Sequence, residues 1–345
     1  MNTLEIKDKW TVIAPVGHVE LTAAVNYEFR INRVRLVATD RLQGRRRRLG
    51  VPWRVSEMRS QKHGIFKRFL GEAPVVAIVR VSGTVNDLER TVATLLRNEL
   101  AILGASQLGY AKRRSAAAPA ILGEHAAMHH SLLWISSNGA WTQPNRTFGS
   151  FATLRLDEDW MQFQRQVFFN NLLRVLRREI RVGEEWRQDL ERAAILVGLS
   201  HSANSVADAF LWNMIALELL LTKQEPAVGD ALPSRAEALL GWSREWSEDG
   251  FREKIRGAYS RRCQLVHQGD RDSPSREDLY FTDDLLLCLL ANLVTHPKIF
   301  FSKDAVIEFA KKIEAERLLR ARPKVRPKSL RMFRREYRPR DYDIY

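Results

Sequence analysis

Seven helical patterns between residue 156 and residue 320 constrain the fold of this chain more than any other feature. Short connections separate them, and their apolar residues recur at intervals of three or four, which is typical of helices that pack in a bundle. The pattern that begins at residue 205 is apolar on nearly all sides and is expected at the centre. Residues 156–320 therefore predict an all-α bundle.

The first 155 residues have a different pattern, in which short β-branched runs alternate with Gly, Pro and polar turns. Runs at 10–16, 34–40 and 73–85 predict strands. One helix is predicted from residue 85, with Gly104 as its end, because glycine commonly follows a helix. Residues 1–155 are thus expected to form a mixed α/β domain with a sensing or regulatory role, which makes the whole chain α+β.

Beyond residue 320 positive charge dominates the sequence. From Arg317 to Arg340 there are eleven basic residues and one acidic residue, and prolines at 323, 327 and 339 exclude a long helix. Residues 321–345 are predicted to be a basic tail that binds RNA or docks on a partner protein, since its aromatic side chains can stack on unpaired bases. Its candidate RNA-binding residues are Arg326, Lys328, Arg331, Arg334 and Arg335.

The whole chain is also basic. It carries 55 Lys and Arg against 41 Asp and Glu, a formal net charge of +14. Such an excess favours a polyanionic partner, either nucleic acid or an anionic membrane surface. A second basic segment, formed by Arg45, Arg46, Arg47 and Arg48, is bounded by glycines and is predicted to be a loop. This loop either contacts RNA phosphates or is only solvated.

Three features predict a cytoplasmic protein without a membrane span. The N-terminus mixes charges early and has no apolar segment of signal-peptide length. The longest apolar run, near 285–294, has about ten residues, roughly half of what spans a bilayer. Cys263 and Cys288 lie in apolar helical patterns, which fits a reducing compartment and argues against a cysteine zinc site. Phosphate-binding glycine motifs are also missing, which argues against an NTPase. We therefore expect neither metal nor cofactor.

The segment AYSRRCQLVHQGD, residues 258–270, contains two adjacent arginines ahead of a histidine. We expect a helix over 249–268 that ends at Gly269 in a left-handed conformation. Four apolar residues at spacings of four, four and three are predicted to form a stripe that faces the bundle: Ile255, Tyr259, Cys263 and Val266.

Two polar side chains flank this stripe. On a helical wheel, Arg262 lies about 100° to one side of Cys263 and His267 about 40° to the other, whereas Arg261 lies about 160° away and is predicted to face solvent. Arg262 and His267 are about 140° and about 7.5 Å apart on one helix, so they cannot reach one small target together. Two copies of the helix could bring them together, which predicts a homodimer with composite sites.

An arginine and a histidine at such a site suit RNA cleavage by the 2′-hydroxyl of the RNA itself. Histidine removes and returns a proton near neutral pH, and arginine stabilises the additional negative charge on the phosphorane. This chemistry requires no metal. The alternative is structural, because an arginine and a histidine near a helix C-terminus also stabilise its exposed carbonyls.

Residues 259–269 resemble the Y-x-x-R-S-x-I-V-H-x-G signature of the HEPN superfamily, in its ApeA-like branch. Residues 210–221, FLWNMIALELLL, resemble the F-x-x-L-x-x-A-L-E-x-L-L helix that precedes this signature. The order of the two motifs and the all-α context also match. The resemblance extends over roughly residues 157–300.

This resemblance implies a helical bundle that dimerises across the motif helix. It also implies a metal-independent RNase that leaves a 2′,3′-cyclic phosphate and a 5′-hydroxyl. Arg262 and His267 match the catalytic positions, and Glu218 matches an acidic position that orients or neutralises a basic group. Tyr259 matches the tyrosine of the signature, whereas Cys263 replaces the usual serine or asparagine.

ApeA-like proteins often belong to bacterial antiphage or toxin-like systems. The resemblance therefore implies that host or phage RNA, including tRNA, is the substrate, and that a regulatory protein or a phage-derived trigger is a further partner. A second hypothesis is a non-catalytic RNA-binding or scaffold protein in which the bundle only dimerises.

Overall fold

The structure is a computed structural model that describes residues 8–51, 71, 73–83, 85–111, 113, 118–122, 129–131, 134–135, 141–142, 145–147, 153–223, 228–241 and 250–319. The predicted basic tail, with Arg326, Lys328, Arg331, Arg334 and Arg335, lies outside these residues. The fold is mixed α+β, and the chain divides into two compact units. The first comprises residues 1–100 and 113–157, and the second residues 101–112 and 158–345.

Short strands characterise the first unit: β1 (Asp8–Gly17), β2 (Val19–Leu21), β3 (Glu28–Arg30), β4 (Arg35–Ala38), β5 (Val75–Gly83), β6 (Ala120–Ile121), β7 (His129–Ser131), β8 (Trp134–Ile135), β9 (Trp141–Thr142), β10 (Asn145–Thr147) and β11 (Leu154–Leu156). Five of them form an antiparallel sheet in the order β3-β4-β5-β1-β6. β2 pairs with β11 in parallel, and β7–β10 and β8–β9 are antiparallel pairs. The three predicted strands are confirmed as β1, β4 and β5.

A short helix, α1 (Leu42–Leu49), contains the four consecutive arginines. The predicted loop over Arg45–Arg48 is therefore wrong. Leu42 and Leu49 lie seven residues apart, so a helix places them on one face, and both are buried against β4 and β5. Arginine is also a good helix former. Of the glycines that suggested a loop, the second, Gly50, instead ends the helix in the left-handed region with φ 70°.

The helix predicted from residue 85 is confirmed as α2 (Val85–Ala105), although it includes Gly104, which was expected to end it. One of its buried side chains is acidic: Glu99 is 1% exposed. Its carboxylate accepts the backbone N–H groups of Asn32 at 2.9 Å, Arg33 at 3.1 Å and Val34 at 3.4 Å. Because three donors share this buried carboxylate, Glu99 fixes the turn between β3 and β4.

Helices make up the described part of the second unit: α3 (Glu158–Gln166), α4 (Phe169–Leu176), α5 (Glu184–Ser202), α6 (Val206–Leu221), α7 (Val228–Leu240), α8 (Phe251–Gln268), α9 (Arg276–Thr295) and α10 (Lys303–Leu318). Six of the seven predicted helical segments each correspond to one of these helices. The first segment instead forms both α3 and α4. Its break falls at Val167 and Phe168, where three consecutive side chains are at most 2% exposed, and a continuous helix would turn them about 100° apart.

α6 is central among the described helices, as its all-round apolarity predicts, and it contacts α5, α7, α8, α9 and α10. α9 is equally buried, from Thr282 to Val294 without interruption. A polar contact joins these two helices, because Asn213 Nδ2 donates to Asp283 Oδ1 at 2.8 Å and to Thr282 Oγ1 at 3.1 Å. Within the described residues no helix combines the length and apolarity needed to cross a membrane.

Residues 101–112 group with the second unit because α3 and α5 pack closely against them. A Cβ at Gly198 would lie 1.9 Å from the carbonyl oxygen of Ala101, so α5 approaches this segment more closely than any side chain at that position allows. Gln164 of α3 donates to the Ser106 carbonyl at 2.8 Å. The sequence pattern at the end of α2 did not predict this association.

Candidate active site

The motif helix is α8 (Phe251–Gln268), and its end agrees with prediction. Gly269 adopts a left-handed conformation with φ 71°. A residue with a Cβ is strained in that region, so glycine favours the end of the helix at this point. Arg261, Arg262, Cys263 and His267 are therefore all helical.

The face that α8 turns toward the bundle differs from the predicted one. Its buried residues are Phe251, Ile255, Ala258 and Leu265. Of the predicted stripe only Ile255 is buried, and Val266 is 46% exposed. The prediction was wrong because it followed the larger apolar residues and ignored Ala258, whose small side chain permits close packing of the helix. On a helical wheel Arg262 lies between Ala258 and Ile255, about 40° from the first and about 20° from the second, which places it on the buried side.

Arg262 contacts Glu218 of α6. Its Nη2 donates to Glu218 Oε2 at 3.1 Å, and its Nε lies 2.9 Å from Glu218 Oε1. Both side chains are mostly buried, at 20% and 19% exposure. The second contact has the distance of an ion pair without the angle of a hydrogen bond. Glu218 thus holds the Arg262 guanidinium from one side.

Burial alters the acidity of Glu218. It raises the pKa of this carboxyl above the ordinary glutamate value, and the Arg262 guanidinium opposes that shift without overcoming it. Protonation would weaken the contact with Arg262, so the pair depends on pH.

The Tyr259 ring covers another side of Arg262, with the guanidinium carbon 6.0 Å from the ring centre. This is the outer limit of a cation–π contact. The ring also packs against α7, because a Cβ at Gly229 would lie 3.2 Å from Tyr259 Cε1. Burial raises the pKa of the Tyr259 hydroxyl, and the neighbouring Cys263 and Glu218 raise it further. Arg262, Glu218, Tyr259 and Cys263 therefore form one cluster.

Arg261 does not face solvent as predicted. Its side chain is 33% exposed and forms an ion pair with Asp278 of α9. Asp278 also belongs to the capping box of α9, where it accepts the backbone N–H of Ser275 at 2.9 Å. Arg261 therefore connects two helices, and its contact is separate from the one that holds Arg262.

His267 lies in the last turn of α8 and is exposed. Tyr259, Cys263 and Val266 lie on the wheel between Arg262 and His267, at about 60°, 100° and 40° from Arg262. The two polar residues thus flank the stripe, and a single chain does not bring them together. What differs from the prediction is that this stripe is partly exposed.

Hydrogen bonds hold the loop after α8 to α8 and to α6. Asp270 Oδ1 accepts the backbone N–H of Ser273 at 3.2 Å, and the Ser273 hydroxyl donates to Gln264 of α8 at 2.7 Å. Arg271 donates to Asp208 in the first turn of α6 at 2.7 Å. These contacts, which the motif did not indicate, fix the helix end that carries His267.

Other predicted site residues lie elsewhere. Arg45 and Arg48 of α1 contact Glu28 in the first unit, whereas Arg47 is exposed. Across the described part of the chain, no group of three or more His, Cys, Asp and Glu side chains could hold a metal ion.

No family model matches the chain, and no curated protein or solved structure is significantly similar to it. The functional interpretation of this site therefore depends on its residues, their geometry and the two motifs.

Proposed function

We propose that the protein is a metal-independent endoribonuclease of the HEPN type, with a HEPN-like bundle over roughly residues 157–300. Arg262 and His267 are its catalytic residues. The observation that carries this proposal is the partly exposed stripe on α8, which lies between an arginine held by Glu218 and an exposed histidine. An apolar stripe between two reactive side chains suits a dimer interface with active sites at its edges.

A second copy of α8 packed against the stripe would complete the site. In a two-fold arrangement Arg262 of one protomer approaches His267 of its partner, and the same contact recurs on the other side. Val266, 46% exposed in one chain, would become buried on dimerisation. The dimer therefore supplies both the geometry and the apolar burial.

The reaction at this site is an internal transesterification. His267 accepts the proton of the ribose 2′-hydroxyl while that oxygen forms a bond to phosphorus. The bond between phosphorus and the 5′-oxygen breaks, His267 returns its proton to the leaving oxygen, and a 2′,3′-cyclic phosphate and a 5′-hydroxyl result. Arg262 stabilises the charge on the phosphorane oxygens.

Glu218 acts as a positioning residue in this scheme. A guanidinium has five N–H groups, and the Glu218 contact uses only one edge of it. The remaining donors can bind a phosphate bidentately. Because Glu218 and Tyr259 hold two sides of Arg262, little side-chain entropy is lost when RNA binds.

The net charge of +14 favours RNA as the partner of this site. Residues Arg45–Arg48 and the basic tail are the proposed contacts to the RNA backbone. A cytoplasmic role in antiphage or toxin-like defence follows from the motif resemblance, with host or phage RNA, including tRNA, as substrate and a regulatory protein or phage-derived trigger as the partner that controls it.

One observation favours the second hypothesis, a non-catalytic RNA-binding or dimerising scaffold. Arg262 is engaged with Glu218 inside one chain, as a purely structural arginine would be. Under this hypothesis α8 dimerises through the same stripe, but RNA is bound and not cleaved.

RNA cleavage in the presence of EDTA separates the two hypotheses. Wild type should cleave total RNA and leave cyclic phosphate ends, and Arg262→Ala and His267→Ala should each lower the rate by about 100-fold or more. Arg256→Ala is the matched control, since Arg256 is an exposed residue on the same helix. A wild-type protein that binds RNA without cleaving it, or catalytic variants as active as the control, would exclude the nuclease.

A further inference from the structure

Five arginines from separate elements of the first unit surround one pocket. They come from the end of β3, the turn that follows it, β4, α1 and β5. The pocket has a volume of about 250 Å³ and is lined by Arg30, Arg33, Arg35, Arg48, Leu49, Ile78 and Arg80. Only Arg48 belongs to the contiguous run of arginines, so this cluster is a product of the fold.

The sheet register explains why these side chains converge. Arg30 lies opposite Arg35, and Arg35 lies opposite Ile78. Residues directly opposite each other on neighbouring strands project to the same face, and residues two apart on a strand do so as well. Arg80 therefore joins the same face as Arg30 and Arg35, over three adjacent strands, and α1 adds Arg48 beside them.

One feature leaves space for the arginines, and another fixes the turn that carries one of them. Gly50, at the end of α1, gives room to Arg80, because a Cβ there would lie 2.1 Å from Arg80 Nη2. The buried Glu99 carboxylate accepts the backbone N–H of Arg33 at 3.1 Å and so fixes the turn that carries this residue. The pocket is therefore supported by the core of the unit.

The charges in the pocket are only partly balanced. The Glu28 carboxylate contacts Arg35 at 3.0 Å and also Arg48. Arg80 contacts no acidic side chain in the portion of the chain that the structure describes, and it is exposed. Like charges held close together repel each other, and an anion placed among them removes that repulsion.

We propose that this pocket binds a compact polyphosphate, the di- or triphosphate group of a nucleotide or of an RNA 5′ end. Its volume suits a few linked phosphates, whereas complete drug-sized ligands occupy pockets of roughly 300–1,000 Å³. Guanidinium groups bind phosphate oxygens bidentately, so several arginines around one small space match several charges in one place. The phosphates within an RNA strand are instead spread along a line.

Calorimetric titration of the full chain with inorganic tripolyphosphate tests this proposal directly. Wild type should bind it saturably, and more weakly as salt is raised. Arg80→Gln should weaken binding by about ten-fold or more, because one bidentate charged contact is lost. Arg90→Gln removes the same charge from an exposed position of α2 outside the pocket, and it should leave the affinity within about two-fold.

A second variant, Arg33→Gln, provides the same test if Arg80→Gln does not fold. Competition experiments identify the source of the phosphates. The competitors are ATP, 5′-triphosphate RNA and 5′-hydroxyl RNA, and the protein carries His267→Ala to prevent cleavage. Displacement by either triphosphate supports the proposal and names the ligand. Three results would each overturn it. These are no binding of tripolyphosphate, equal losses of affinity in Arg80→Gln and Arg90→Gln, and equal competition by 5′-hydroxyl and 5′-triphosphate RNA. Since the pocket lies wholly within the first unit, these results do not depend on the nuclease proposal.

Discussion

Two regions rich in arginine differ in how their charges are balanced. On α8, Arg261 and Arg262 each meet one carboxylate from another helix, Asp278 and Glu218. In the pocket of the first unit five arginines line one small space; Glu28 contacts Arg35 and Arg48, whereas Arg80 meets no carboxylate among the described residues. Paired charges fix side chains in position, whereas unpaired ones favour an anionic ligand. Charge pairing therefore favours precise placement of an arginine on α8, and the uncompensated charge of Arg80 supports the proposal that the pocket binds phosphate.

The largest expected effect on stability is at Arg262. Its replacement by alanine leaves Glu218 mostly buried without a cation, so the free energy of unfolding should fall by about 2–3 kcal/mol. Urea denaturation followed by circular dichroism measures this change. A double-mutant cycle with Glu218→Ala should give a coupling energy of about 1–2 kcal/mol.

The exposed pair on the same helix is the control for this experiment. Arg256 contacts Glu253 at 2.6 Å with both side chains about half exposed or more, so Arg256→Ala should change stability by less than about 0.5 kcal/mol. If Arg262→Ala costs no more than this control, Glu218 does not position Arg262.

Replacing an arginine of the pocket should affect stability differently from replacing Arg262. Arg80→Gln removes one of several neighbouring positive charges. In phosphate-free buffer the free energy of unfolding should therefore stay within about 0.5 kcal/mol of wild type or rise. The same denaturation experiment gives the answer. A loss greater than about 1 kcal/mol would mean that Arg80 is a structural residue, as Arg262 is, and the contrast between the two regions would disappear.

A further effect on stability concerns pH. Because the pKa of Glu218 is raised in the folded protein, its contribution to stability is fully present below the unfolded pKa and is lost as pH rises through the folded pKa. Wild type should therefore lose stability relative to Glu218→Gln between about pH 4 and pH 7, by no more than about 1 kcal/mol. The measurement is the difference in melting temperature across that range. A difference in favour of wild type that grows with pH would show that Arg262 outweighs burial.

The sequence predicted the end of α8 better than its face. Gly269 is a local signal, and α8 ends directly before it. The face of α8 depends on which residues its neighbours accommodate, and small Ala258 is buried while larger Val266 is exposed. Periodicity of apolar residues does not contain that information.

The arginine pocket could not be predicted from the sequence for a similar reason. Arg30, Arg35 and Arg80 converge only through the pairing of β3, β4 and β5, and strand register depends on the whole sheet. The contiguous run Arg45–Arg48 was predicted to contact RNA, yet three of its members do not line the pocket. By contrast, Arg262 and Glu218 were both identified in advance, because each lies in a short motif on a helix.

Complementation between inactive protomers tests the composite site most directly. In a dimer of one Arg262→Ala protomer and one His267→Ala protomer, one of the two sites recovers an intact Arg262 from one chain and an intact His267 from the other. An equimolar mixture, refolded or co-expressed so that protomers exchange, should show about a quarter of wild-type RNA cleavage, because about half of the dimers are mixed and each has one working site. A mixture as inactive as either variant alone, when wild type cleaves and the protomers have exchanged, would contradict a site shared between two copies of α8.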